Sequence, residues 1–93
     1  MDIALLTLDI HLPAAQSLKD RREVVRSLKD RLRAKFNVAV AEVGETSLWQ
    51  RAQVAVVSVN ADHTFLEKMM TAVDREAEDI LRGQPFESHL DFI

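Results

Sequence analysis

Residues 17–36, S-L-K-D-R-R-E-V-V-R-S-L-K-D-R-L-R-A-K-F, decide how the rest of the chain must be arranged. Ser17 stands three residues ahead of Asp20, the S-x-x-[DE] pattern in which a serine hydroxyl accepts from the amide of Asp20 and the carboxylate reaches back to the amide of Ser17. Downstream, Leu18, Val24, Val25, Leu28, Leu32 and Phe36 fall on one side of a helix at about 100° per residue. Beside that apolar side, within about 80° of arc, lie Lys19, Arg22, Arg26, Lys29 and Arg33. The segment therefore reads as one long amphipathic helix with a basic flank.

Two of its features run against helix energetics. Lys19, Arg21 and Arg22 crowd the first turns, where the helix dipole favours anions and each exposed cation costs about 0.3–1 kcal/mol. A phosphate or carboxylate held by Ser17, Lys19, Arg21 and Arg22 would remove the conflict. Arg21 also falls near the middle of the apolar side, where its stem can lie over apolar surface with the guanidinium at the margin. The alternative is local neutralisation by Asp20 and Glu23, with i,i+4 partners such as Arg26 and Asp30 on a solvated face. S-L-K-D-R recurs at Ser27, but ten residues rotate a helix by about 1000°, so the copies point about 80° apart and cannot make equivalent contacts.

The chain of 93 residues suits a single domain, 1–93, with one core. Hydrophobic residues at 47% and charged residues at 29% are those of a folded globular protein. With no cysteine there is no disulfide, thiolate nucleophile or cysteine metal site. The absence of a basic leader and of an apolar run near 18 residues points to a cytoplasmic, bacterial-type protein with no membrane role. Net charge is −3, yet residues 19–35 carry eight basic and three acidic side chains, which leaves −8 elsewhere. Such a protein is no general nucleic-acid coat, although a local basic stripe can still meet phosphates.

Around the helix the other elements fall into order. Residues 2–12 alternate, with Ala4, Leu6, Leu8, Ile10 and Leu12 on one face, so they form a strand with its even side on the core. Pro13 stops it. A second strand runs over 37–43 and ends at Gly44. Residues 44–50 form a polar loop interrupted by Leu48 and Trp49; the tryptophan either anchors a partner or folds back over its own sheet edge. Residues 52–60, apolar on both sides in the middle, form a central strand antiparallel to its predecessor. Asp62 caps a second helix to about residue 81, with Leu66, Met69, Val73, Ala77 and Ile80 inward and Met69 and Met70 as core filler. Gly83 and Pro85 break it ahead of a last strand over 86–93.

Strand, helix, strand, strand, helix, strand in about 90 residues gives an α+β, ferredoxin-like βαββαβ fold, with a four-stranded antiparallel sheet and both helices on one face. Leu5, Thr7, Asp9 and His11 then share the open face with Glu87, His89 and Asp91. That set suits a divalent metal, and equally a solvated or dimer-facing sheet. The fold hosts unrelated activities, so each must be argued from its site. Base stacking on the central strands is excluded by the lack of aromatics there. The L-P-A-A-Q loop after the first strand lacks the arginine and glycines of a phosphoryl cradle, and no hydrolase triad or P-loop is present. No catalytic residue, metal site or cofactor is assigned.

Four short runs carry a family likeness: S-L-K-D-R-R at Ser17 to Arg22, F-N-V at Phe36 to Val38, A-E-V at Ala41 to Val43 and L-W-Q-R-A at Leu48 to Ala52. In these the chain resembles, over essentially its whole length, the YlxP-like family of small bacterial proteins, a domain of unknown function. The resemblance implies a ferredoxin-like fold and a setting among translation and ribosome-maturation genes. Lys19, Arg21, Arg22, Asn37, Glu42 and Trp49 are its family-type positions, whereas Asp9, His11 and His89 belong to none of the runs. The expectation is a non-enzymatic module that docks its basic helix, through Lys19, Arg22, Arg26, Lys29 and Arg33, on RNA or a ribosome-associated partner. The competing expectation is a structural or regulatory homodimer paired through the sheet, with the stripe merely solvated.

Overall fold

A computed structural model describes residues 1–44 and 48–93. Alternating hydrophobicity produces β1 (Asp2–His11), in which Ala4, Leu6, Leu8 and Ile10 are buried and the odd-numbered residues only half-buried. α1 (Leu18–Lys35) follows, then β2 (Ala39–Val43), β3 (Arg51–Asn60), α2 (His63–Leu81) and β4 (Phe86–Phe92). The sheet order is β2-β3-β1-β4 and every pairing is antiparallel. The expected α+β, ferredoxin-like arrangement is the one observed.

Register explains why β3 is apolar throughout its middle. It lies between β2 and β1, with Val56 opposite both Leu6 and Val40. Its Ala52, Val54 and Val56 face the helices together with the even side of β1, and Ser58 on the same side donates from Oγ to the Asn37 carbonyl at 2.8 Å. Leu28 and Leu32 of α1 and Leu66, Met70, Val73, Ala77 and Leu81 of α2 close this one core. Burying side chains of this size contributes about 1.5–3 kcal/mol each relative to exposure, enough to orient both helices.

Several boundaries and faces depart from the sequence reading for local reasons. β2 starts at Ala39, because the Val38 amide turns back to the Phe36 carbonyl at 3.0 Å. Met70 and Leu81 take the fully buried places on α2, with Met69 and Ile80 partly buried beside them. Leu18, 37% exposed, lies at the margin of α1 rather than in its packed face. α2 does end at Leu81, as expected: Arg82 is left-handed at φ 30°, followed by Gly83 at φ 77°. Of the expected 44–50 loop, residues 45–47 lie outside the described residues.

Candidate nucleic-acid interface

The start of α1 is built much as its sequence indicates. Ser17 Oγ accepts from the Asp20 amide at 3.1 Å, while the Asp20 carboxylate accepts from the Gln16 amide at 3.0 Å, one residue earlier than the expected Ser17 amide. Ser17 is thereby used as a cap, with its acceptor role filled inside the helix.

Arg21 is the clearest departure from the expected anion-binding set. It is 1% exposed, its Nε donates to the Arg51 carbonyl at 2.9 Å, and its terminal nitrogen is paired with the Glu42 carboxylate. A guanidinium so placed has no access to a ligand from solvent. The stem does lie in the apolar face, as expected, but the head group goes inward to β2 and β3 instead of out to the margin. An intramolecular carboxylate has removed the charge conflict at this position. What the sequence reading missed is Glu42: an arginine in mid-stripe requires an acid on the facing strand, and Glu42 lies at the helix-facing parity of β2, two residues after the buried Val40.

The other five cations are placed differently. Lys19, Arg22, Arg26 and Arg33 are exposed and Lys29 is half-buried. Among the described residues, none of the five has a carboxylate within 4.0 Å; the arginine and lysine ion pairs are Arg21 with Glu42, Lys35 with Glu76 and Arg51 with Asp9. The expected neutralisation by Asp20 and Glu23, and the Arg26–Asp30 pair, are absent from that set. Lys35 Nζ reaches Glu76 on α2 at 2.6 Å, which turns that flank of α1 toward its neighbour. The five cations lie on the opposite flank, above the edge strand β2. They run for about 21 Å at about 1.5 Å per residue.

Trp49, 51% exposed, and Leu48, 48% exposed, immediately precede β3, and Leu48 lines a shallow pocket with Asp9, Arg51, Ala52 and Gln53. Their position follows from two bonds, Gln50 carbonyl to the Leu12 amide at 2.8 Å and Arg51 carbonyl to Arg21.

On the open face the register sets Thr7 opposite His89 and Asp9 opposite Glu87. Asp9 is bound on both carboxylate oxygens by Arg51 at 3.0 and 3.2 Å, and His89 Nε2 lies 3.3 Å from Asp91. Among the described residues no three His, Asp or Glu side chains converge as metal ligands. No described helix is long and apolar enough to cross a membrane.

Comparison with known proteins gives the fold neighbours first. The chain is similar to the de novo designed protein Foldit4, at TM-score 0.57 and 12% identity over 98% of this chain and 97% of the other. It is also similar to a mutant of SnoaB, a cofactor-independent oxygenase from Streptomyces nogalater, at TM-score 0.64 and 11% identity over 98% and 92%. Identities this low speak to architecture alone. Nearer in sequence is the uncharacterized protein YlxP of Bacillus subtilis (strain 168), 34% identical over 59 residues, which span 63% of this chain and 64% of that protein's length. The family profile described as "Protein of unknown function (DUF503)" matches residues 3–87, which takes in β1, the capped basic helix, Glu42 and Trp49 alike, and the chain belongs to that family.

Proposed function

We propose that this protein is a non-enzymatic binding module whose α1 flank docks on the phosphate backbone of structured RNA, in the ribosome-associated setting that the sequence resemblance implies. One observation carries the reading: five cations stand along one helix flank without a carboxylate in reach among the described residues, in a protein whose net charge is −3. Lys19, Arg22, Arg26, Lys29 and Arg33 supply sequence-independent phosphate contacts, and the half-exposed Trp49 supplies a further partner contact. The acidic remainder of the surface repels RNA, which confines docking to this flank.

Contacts of this kind release counterions. Five phosphates give a slope of log K against log salt of about −3.5 to −4.5. Filter binding to a structured RNA between low and physiological salt reads that slope directly. The double variant Arg22→Glu, Arg26→Glu is expected to weaken binding at least about tenfold and to flatten the slope. Undiminished binding by the folded double variant refutes the proposal. A homodimer without a nucleic-acid role predicts no measurable binding by either protein.

A further inference from the structure

The two outer strands of the sheet present different edges. β2 offers five residues, whereas β4 pairs with β1 without interruption over seven, from Phe86 opposite Ile10 to Phe92 opposite Ala4. Two bonds at the ends of that ladder fix which way each residue of β4 points its backbone. The His11 amide donates to the Pro85 carbonyl and the Ile93 amide to the Ile3 carbonyl, both at 2.9 Å, so the odd-numbered residues of β4 face β1. Successive residues of an antiparallel strand bond to opposite sides. The amides and carbonyls of Phe86, Ser88, Leu90 and Phe92 therefore line the outer edge, with no backbone partner among the described residues. α1 packs over β2 and β3, and α2 over β1 and β3, which leaves β4 at the margin of the helical layer. No lysine, proline or bulge interrupts Phe86–Phe92 to protect that edge.

We propose that this edge pairs antiparallel with β4 of a second copy, about a two-fold axis at Ser88, and joins two four-stranded sheets into one. The proposal does not rest on the RNA reading, and α1 stays clear of the junction. Its ground is the order of side chains from Phe86 to Leu90, F-E-S-H-L, which is complementary to its own reverse. Turned about Ser88, each Glu87 stands opposite the partner's His89 and each Phe86 opposite the partner's Leu90. Carboxylate meets imidazole on the open face of the sheet, in the pair whose side chains lie closest because its backbone groups point away. Aromatic ring meets leucine on the helix face. Ser88, small and exposed, meets itself at the axis. The outward groups of Phe86, Ser88 and Leu90 then exchange backbone bonds with the same groups of the partner.

Other registers and occupants fit less well. An axis at Glu87 sets that acid against itself, and an axis at His89 sets Glu87 against Asp91; like charges directly opposite are destabilising. An axis at Leu90 sets His89 against Asp91, a group it already approaches to 3.3 Å within its own chain, and leaves Phe86 beyond the paired segment. Phe86 and Ser88 line an open hollow of about 480 Å³ between β4 and α2, together with Gln84, Asp74 and Glu78. Only the axis at Ser88 brings the partner's Leu90 and its 37% exposed Phe92 to the mouth of that hollow, beside Phe86 and Gln84. Pairing with the partner's β2 instead would be head-to-tail and would build an open filament. The contact is narrow and held by backbone bonds more than by area, which places the dimer in the weak class.

The test is the mass in solution together with amide exchange. At about 500 μM, enough to populate a dimer with a dissociation constant of about 100 μM, wild type should sediment toward twice its chain mass of 10.5 kDa. The Ser88 and Leu90 amides should exchange freely in dilute protein and slow at least about fivefold at high concentration, while those of Glu87, His89 and Asp91 stay protected throughout. His89→Glu sets acid against the partner's Glu87 and should raise the dissociation constant about tenfold. The double variant Glu87→Lys, His89→Glu should restore it, because each lysine then meets the partner's glutamate. Ser88→Pro removes only an outward amide and should abolish the dimer while circular dichroism stays native. A wild-type monomer at about 500 μM would overturn the proposal. A dimer whose Ser88 and Leu90 amides still exchange freely, or one that the double charge change fails to rescue, would overturn it equally.

Discussion

Replacement of Arg21 by alanine tests whether this residue serves the interior or the surface. The side chain is 1% exposed and joins three elements: α1 through its own backbone, β2 through Glu42, and β3 through the Arg51 carbonyl. Breaking a buried pair from one side costs about 3–5 kcal/mol when the orphaned charge stays dry. Glu42 keeps 19% exposure and can rehydrate, which lowers the expectation. With the stem's packing also lost, about 2–4 kcal/mol is the reasonable range. In a domain of this size that corresponds to a fall in Tm of about 8–32 °C, at about 4–8 °C per kcal/mol. Urea titration followed by circular dichroism measures it, with the neighbouring exposed Arg22→Ala expected within about 0.5 kcal/mol of wild type. The double variant Arg21→Met, Glu42→Leu should recover most of the loss or exceed wild type, because apolar pairs of similar volume carry no desolvation penalty. Equal, small effects of Arg21→Ala and Arg22→Ala would refute the assignment of Arg21 to the interior.

The remaining expectations are smaller. Ser17→Ala removes the acceptor for the Asp20 amide and should cost about 1 kcal/mol in a urea midpoint, with Ser17→Gly milder. Gly44 holds φ at +76°, and a Cβ there would meet the Gln53 side chain. Gly44→Ala should therefore cost about 1–2 kcal/mol, mostly backbone strain, since the Gln53 amide can swing aside. The variant Gly44→Ala, Gln53→Ser would recover little if strain dominates and most of the loss if the clash does.

Much of this was written in periodicities. A period of two in β1, a period near 3.6 in α1 and α2, and the caps at Ser17 and Asp62 are local properties, and local sterics and hydrogen bonding enforce them wherever the chain goes. The element order then leaves few compact solutions, so the antiparallel sheet with its two helices follows. The even side of β1, the central place of β3 and the grouping of Thr7, Asp9, Glu87 and His89 on one face were all legible that way. Met69 against Met70 was not, because a helix-wheel stripe is wide enough to include both and only packing selects the inner one.

Charge was legible in composition but not in partnership. The sequence by itself determined that eight cations gather on α1 and that one of them, Arg21, falls among apolar neighbours. Only the tertiary structure decided their fates. It drew Arg21 inward onto Glu42, tied Lys35 to Glu76, and left Lys19, Arg22, Arg26, Lys29 and Arg33 without an ion-pair partner among the described residues. The reason is range: secondary structure is set by residues three or four positions apart, whereas Arg21 meets a strand 21 residues away and Lys35 a helix 41 residues away. Contacts at such separations depend on how the layers settle, and that is a property of the assembled core.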